Sequence, residues 1–149
     1  MINSYFVEQF KEFLGFNPTS EQLVAMEKLG TFLMSGEGES AFLLRGYAGT
    51  GKTSLVGALV RLLDHLQQKV VLMAPTGRAA KVFSQHARHT VYTIHRKIYR
   101  QRTYSGEVGN YSLSDNLHQH TLFIVDEASM IANDGLSGAT FGTGRLLDD

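Results

Sequence analysis

The chain contains no cysteine, which excludes disulfides, thiolate metal sites and cysteine redox chemistry. It also lacks any apolar run of membrane-spanning length. The stretch from Met1 to Phe16 carries Glu8, Lys11 and Glu12 where a signal peptide would be uninterrupted and apolar. Together these absences read as a cytoplasmic protein with no membrane partner. A third absence is local: no Asp or Glu occurs from His65 through Gly106. That window holds eight basic residues, Lys69, Arg78, Lys81, Arg88, Arg96, Lys97, Arg100 and Arg102, and the remainder holds six basic and fourteen acidic ones, a net of minus eight. The formal net charge of zero hides two opposite halves. Clustered Lys and Arg release condensed counterions when they meet phosphates, so the window is a candidate polyanion surface; on charge alone, a solvated basic face is the alternative.

What is present is a phosphate-loop pattern. Gly46-Tyr47-Ala48-Gly49-Thr50-Gly51-Lys52-Thr53 fits G-x-x-x-x-G-K-[ST]. A chance match in a chain of this length has a probability on the order of one per cent from average residue frequencies. Strand-like Ala41-Phe42-Leu43-Leu44-Arg45 leads in, and Leu55 to Leu63 follows with apolar residues at helical spacing. Glycines suit the loop because backbone N–H groups must close around phosphate oxygens. In this pattern Lys52 reaches the β/γ-phosphates and Thr53 ligates magnesium, so Gly46, Ala48, Gly49, Thr50, Gly51, Lys52 and Thr53 are the candidate nucleotide-binding residues.

At 149 residues and 43% hydrophobic content, one core burying about two-thirds of the unfolded surface is expected. Ile2, Phe6, Phe10, Phe13 and Leu14 describe an amphipathic helix closed by Gly15. Asn17-Pro18 breaks it, and Thr19 or Ser20 can cap a second helix through Phe32 that ends near Gly36. A surface loop from Gly36 to Glu39 then precedes the lead-in strand. The apolar run Lys69 to Ala74 reads as a strand covered on both faces, which implies a βαβ unit and a parallel sheet. A helix is expected from Thr76 or Gly77 to about His86, and another from near Thr93 with Ile94 and Ile98 inward. The stretch from Arg102 to Ser112 is either a hairpin or an excursion, and the glycine-rich tail from Asn133 to Gly144 is expected to be poorly ordered. The division expected is 1–36 as N-terminal helices and 37–149 as a partial nucleotide-binding domain. His118 and His120 alternate around Gln119, but no third ligand is evident and no metal is assigned there.

Leu122-Phe123-Ile124-Val125 reads as a third buried strand, and it ends in Asp126-Glu127. Downstream of a phosphate loop, this has the form of a second nucleotide motif. Asp126 then holds magnesium through water, and Glu127 polarises a water for in-line attack on the γ-phosphate. Lys52 and Glu127 are the candidate catalytic residues. A paired Asp-Glu favours hydrolysis over phosphoryl transfer to a metabolite.

Four stretches carry a resemblance: Gly46 to Thr53, Ala74-Pro75-Thr76-Gly77-Arg78-Ala79-Ala80, Thr93-Ile94-His95, and Val125-Asp126-Glu127-Ala128-Ser129-Met130. In this order they resemble superfamily 1 DNA helicases, and more narrowly the RecD-like branch related to the alpha subunit of exodeoxyribonuclease V. The resemblance covers roughly Thr19 to Met130. It implies a RecA-like α/β fold, ATP and Mg2+ as cofactors, and 5′-to-3′ translocation on single-stranded DNA. It also implies helicase or nuclease subunits as partners and a DNA-repair setting. It places Gln22 at the adenine, where an amide can pair with N6 and N7, and it makes Thr76, Gly77, Arg78, Thr93 and His95 DNA contacts. On the residues alone, Thr76 is an ordinary helix cap and His95 is equally a core-edge histidine. Tyr92, Tyr99 and Tyr104 interleave with the basic residues in a way able to stack bases, although core packing accounts for each.

Helicases of this family continue to a γ-phosphate-sensing glutamine and a second motor domain, neither of which is in this sequence. In the family's fold the next strand lies between the phosphate-loop strand and the Asp126 strand. A central strand is therefore expected to be missing, as in an N-terminal fragment prone to self-association. Two other readings stay open: a non-catalytic nucleotide- or DNA-binding module, and a P-loop kinase for a small metabolite.

Overall fold

The computed structural model describes residues 2–36, 38–101, 110–133 and 140–149. They fall into two compact units, Met1–Gln68 with His86–Arg88, and Lys69–Gln85 with His89–Asp149.

The first unit is helical. α1 (Ile2–Leu14) ends where Gly15 takes φ +79° and donates its amide to the Lys11 carbonyl at 3.2 Å, the left-handed stop that Gly15 predicted. α2 (Ser20–Met34) starts at Thr19, whose hydroxyl accepts from the Gln22 amide while the Gln22 side chain accepts from the Thr19 amide. This is a reciprocal capping box. α1 packs against both α2 and α3 (Lys52–His65), with Phe10 and Met26 fully buried. At Gly30 an added Cβ would lie 2.9 Å from the Phe6 ring, so the α1–α2 approach requires glycine. The Arg61 guanidinium on α3 donates to the carbonyls of Phe13 and His86, tying the end of α1 and the 86–88 segment to one helix.

One expected strand is absent. Ala41 to Arg45 forms no strand and pairs with none among the described residues. It runs with alternating exposure, Phe42 against the Phe32 ring at 5.6 Å and Leu43 74% exposed. A β-ladder needs a neighbouring strand to take its N–H and C=O groups, and apolar sequence alone cannot supply one.

The second unit is α/β. β1 (Lys69–Ala74) is central in an all-parallel sheet of order β2-β1-β5, with β2 at Val91–Thr93 and β5 at Thr121–Val125. The parallel sheet thus forms as expected, but from β1, β2 and β5, without Ala41 to Arg45. Val71, Met73 and Ile94 form its buried cluster, with Ile98, Val125, Ile131 and Leu146 packed around them. α4 (Gly77–Ala87) follows β1, and the short α5 (Ile94–Ile98) follows β2.

A second small sheet has β4 (Asn110–Leu113) antiparallel to β3 (Tyr99–Gln101) and parallel to β6 (Thr140–Phe141). The pairing of Tyr99 with Leu113 and Gln101 with Tyr111 gives the two arms of a hairpin, whose residues 102–109 lie outside the described residues. Of the tail expected to be poorly ordered, 134–139 also lie outside them, but Thr140 to Gly144 is held. Phe141 stacks on Tyr111 with centroids 4.5 Å apart, and Gly142 donates to the Tyr111 carbonyl at 3.0 Å. Aromatic burial here outweighs the conformational freedom of the glycines.

Candidate functional site

In the first unit, Gly46 to Gly51 folds back on its own backbone. The Tyr47 carbonyl accepts from the Thr50 hydroxyl at 2.8 Å and from Lys52 Nζ at 2.7 Å, and the Gly46 carbonyl accepts from Lys52 Nζ at 2.6 Å. An ammonium has three donors, and among the described residues two are engaged, which leaves one for an anion at the same loop. Gly49 and Gly51 take φ +78° and +80°, conformations that cost a residue with a Cβ about 1–2 kcal/mol. At Gly46 a Cβ would stand 2.9 Å from Thr50 Oγ1. The pattern's glycines are therefore needed for two different reasons: left-handed backbone at 49 and 51, and space at 46.

Gly51 is the N-cap of α3 and supplies no side-chain bond to the helix. The first-turn amides of a helix have no intrahelical acceptor and carry the positive end of its dipole. Together with Lys52 and the Thr53 hydroxyl, this donor set suits a polyphosphate and its cation. Gln22 is half-buried beside the loop, and its Nε2 donates to the Thr50 carbonyl at 3.4 Å.

In the second unit, the register brings three separate motifs to one edge. Ala74 pairs with Thr93 across β1 and β2, and Met73 pairs with Val125 across β1 and β5. Thr76-Gly77-Arg78, Thr93 to His95, and Asp126-Glu127 thus all leave the carboxyl ends of adjacent parallel strands, where open α/β sheets bind ligands. Asp126 continues the ladder, its amide donating to the Met73 carbonyl at 3.0 Å, and its Oδ1 accepts from the Glu127 amide at 3.0 Å. Glu127 is exposed and left-handed, at φ +54° and ψ +37°, and precedes a 3-10 turn over Ala128–Met130.

Thr76 caps α4 by accepting from the Ala79 amide at 3.1 Å, and it is exposed together with Gly77 and Arg78. Thr93 caps α5 by accepting from the Arg96 amide at 3.3 Å. His95 is half-buried, its ring edge-on to Phe141 at 4.9 Å and tilted against Tyr99 at 5.6 Å. Burial, with a 2.6 Å hydrogen bond donated to Asp149, holds the Tyr99 phenol above its ordinary value, and the same bond holds the Asp149 carboxyl below its own.

Two features escaped the sequence reading. Thr19-x-x-Gln22 is a capping-box signature, a local signal for the double engagement of Gln22. Lys97 lies 5.0 Å from the Tyr92 ring centroid, a cation–π contact between residues five apart that no single-element spacing signals.

A phosphate loop opening a helix and an Asp-Glu pair ending a parallel strand define a P-loop NTPase of the α/β class, here with a sheet of three parallel strands. The AAA domain family matches residues 19–139, and the chain belongs to that family. It is 31% identical over 102 residues to the ATP-dependent RecD2 DNA helicase of Deinococcus radiodurans, covering 64% of this chain and 13% of that protein. Over 126 residues it is 28% identical to the multifunctional conjugation protein TraI of Escherichia coli K12, covering 80% of this chain and 7% of that protein. The matched stretch is thus a small part of either relative's length. The RecD-like superfamily 1 resemblance read from the motifs agrees with these relatives. No solved structure matches the chain. Among the described residues, no helix is long and apolar enough to cross a membrane.

Proposed function

We propose that this chain is the ATP-binding and ATP-hydrolysing part of a DNA helicase that moves 5′ to 3′ on single-stranded DNA. The observation that carries the reading is the convergence of three motifs at the carboxyl edge of one parallel sheet, in a chain that also builds a phosphate loop at the start of α3. The relatives, an ATP-dependent DNA helicase and a conjugation protein, support it. In this reading residues 1–36 form a helical N-terminal segment, and 37–149 form part of a RecA-like domain. Gly46 to Thr53 hold the nucleotide phosphates. Thr53 and Asp126 are the proposed magnesium ligands, on the chemistry of their oxygens. Magnesium, when bound, neutralises charge on the β- and γ-oxygens. Glu127 orients the attacking water and takes its proton, while Lys52 stabilises the charge on the transferred phosphoryl group. Thr76, Gly77 and Arg78 contact the DNA backbone, joined by Thr93 and His95.

Equilibrium binding of a fluorescent ATP analogue to the wild type and to Lys52→Ala tests the nucleotide site. A charge-assisted hydrogen bond is worth about 1.5–3 kcal/mol, so affinity is expected to fall by about 10- to 150-fold with an unchanged circular-dichroism spectrum. Equal affinity in the two proteins would remove the assignment. Binding of a labelled single-stranded oligonucleotide at two salt concentrations tests the DNA reading, with log affinity falling by about 0.7 per phosphate contact per decade of salt.

A further inference from the structure

The Gln22 side chain is committed at both ends of its amide. Oε1 accepts from the Thr19 amide at 3.0 Å, Nε2 donates to the Thr50 carbonyl at 3.4 Å, and a Cβ built on Gly51 would stand 2.8 Å from that same Nε2. The side chain therefore bridges the start of α2 to the two residues that close the phosphate loop. Pairing with an adenine edge uses one amide donor and one acceptor together. Both ends would have to be shared with the base or released from these partners.

The peptide between Thr50 and Gly51 gives this contact a consequence. In a trans peptide the C=O and the following N–H lie in one plane and point in opposite directions. No cis bond occurs among the described residues. When Gln22 holds the Thr50 carbonyl, the Gly51 N–H is aimed away from Gln22. Gly51 is also the left-handed N-cap of α3, with φ +80° and no side chain of its own to fix it. A glycine has the widest choice of backbone conformations; the helix holds its carbonyl, which accepts from the Leu55 amide at 2.9 Å, and Gln22 holds the peptide on its other side.

We propose that Gln22 is a positioning residue for the phosphate loop, fixing Thr50, Gly51 and the N-terminus of α3 so that it acts on phosphate binding whatever the base. The proposal rests on the reading of this chain as a nucleotide-binding protein. The capping box gives the brace its stiffness: one bond anchors the Gln22 side chain to α2, and the second is then made at little further entropic cost.

The test is titration of the whole chain with ATP, GTP and inorganic tripolyphosphate, each with magnesium. Gln22→Met keeps the length of the side chain and removes both hydrogen bonds. It is expected to weaken all three ligands by the same factor, about 3- to 10-fold, the worth of one neutral hydrogen bond. Thr19→Ala removes the cap hydroxyl and leaves Nε2 in place, so it lowers the melting temperature without changing tripolyphosphate affinity. Gln22→Glu retains the capping acceptor and loses the donor to Thr50; it folds, and it loses affinity for all three ligands. Weakening of ATP alone in Gln22→Met would overturn the proposal in favour of an adenine contact. Unchanged affinity in both Gln22 variants would reduce the residue to a helix cap. A wild type that binds none of the three ligands would overturn the nucleotide reading itself, and the brace with it.

Discussion

Glu127 is held at φ +54° and ψ +37°, a conformation natural to glycine and costly to glutamate. Contact between Cβ and the carbonyl oxygen costs an L-residue there about 1–2 kcal/mol. Glycine escapes that cost but brings more freedom in the unfolded chain, which returns about 0.5–1 kcal/mol. The Glu127 side chain is exposed and bonds to no described residue, so little else is lost on truncation. Glu127→Gly is therefore expected to stabilise the chain by about 0.5–1 kcal/mol. With a urea m-value near 2 kcal/mol/M this moves the denaturation midpoint up by about 0.3–0.5 M at unchanged slope. Gln67, at φ +58° just beyond the last turn of α3, is the matched control. Gln67→Gly is expected to stabilise by a similar amount and to leave nucleotide hydrolysis intact, whereas Glu127→Gly spares binding and removes hydrolysis. Strain retained at 127 and released by a substitution that costs activity marks a functional residue. A lower midpoint for Glu127→Gly, with a raised one for Gln67→Gly, would refute the reasoning, since it would mean that the backbone at 127 is not left-handed.

The Tyr99 phenol is expected to ionise above the ordinary tyrosine range in an alkaline titration followed at 295 nm. Because its folded-state value is raised, the stability it contributes is present below about pH 10 and lost as pH rises through that raised value. Asp149→Asn should bring its ionisation earlier, and an unchanged curve would contradict the contact. The Asp149 carboxyl is shifted the other way, so its contribution holds above about pH 4 and fades as pH falls through its lowered value, which a pH series of melting temperatures would show. Arg78→Ala should lower the salt slope of single-stranded DNA binding by about 0.7, while Lys28→Ala on exposed α2 surface leaves it unchanged; equal slopes in both variants would exclude Arg78 from the phosphate path. Among the described residues β5 pairs only with β1, and it contains no charge or proline to guard its other edge, so sedimentation is expected to show concentration-dependent self-association. Phe123→Lys, at a position 40% exposed, should abolish it, and a wild type that stays monomeric at all concentrations would exclude pairing through that edge.

What was legible in the sequence was local. Gly15 stops α1, Thr19 and Thr76 start helices, and Lys69 to Ala74 matches its strand end to end, because caps and apolar runs act within a few residues of themselves. The phosphate loop and the Asp126-Glu127 strand end were legible for the same reason. What escaped depends on a neighbour. Val91–Thr93 is too short to show a period and is a strand only because β1 lies beside it. Phe141 sits in a glycine-rich tail whose order comes from Tyr99 and Tyr111, 42 and 30 positions away in the numbering. Ala41 to Arg45 is the converse, with strand composition and no strand to accept it among the described residues. β5 has the uncharged, apolar composition of a strand flanked on both sides, yet among the described residues its register is filled on one side alone. Composition thus reports the neighbour a strand is suited to, and coordinates report the neighbour it has. In this chain the two differ at the segment leading into the phosphate loop and at the strand ending in the acidic pair, the two places where the proposed chemistry begins.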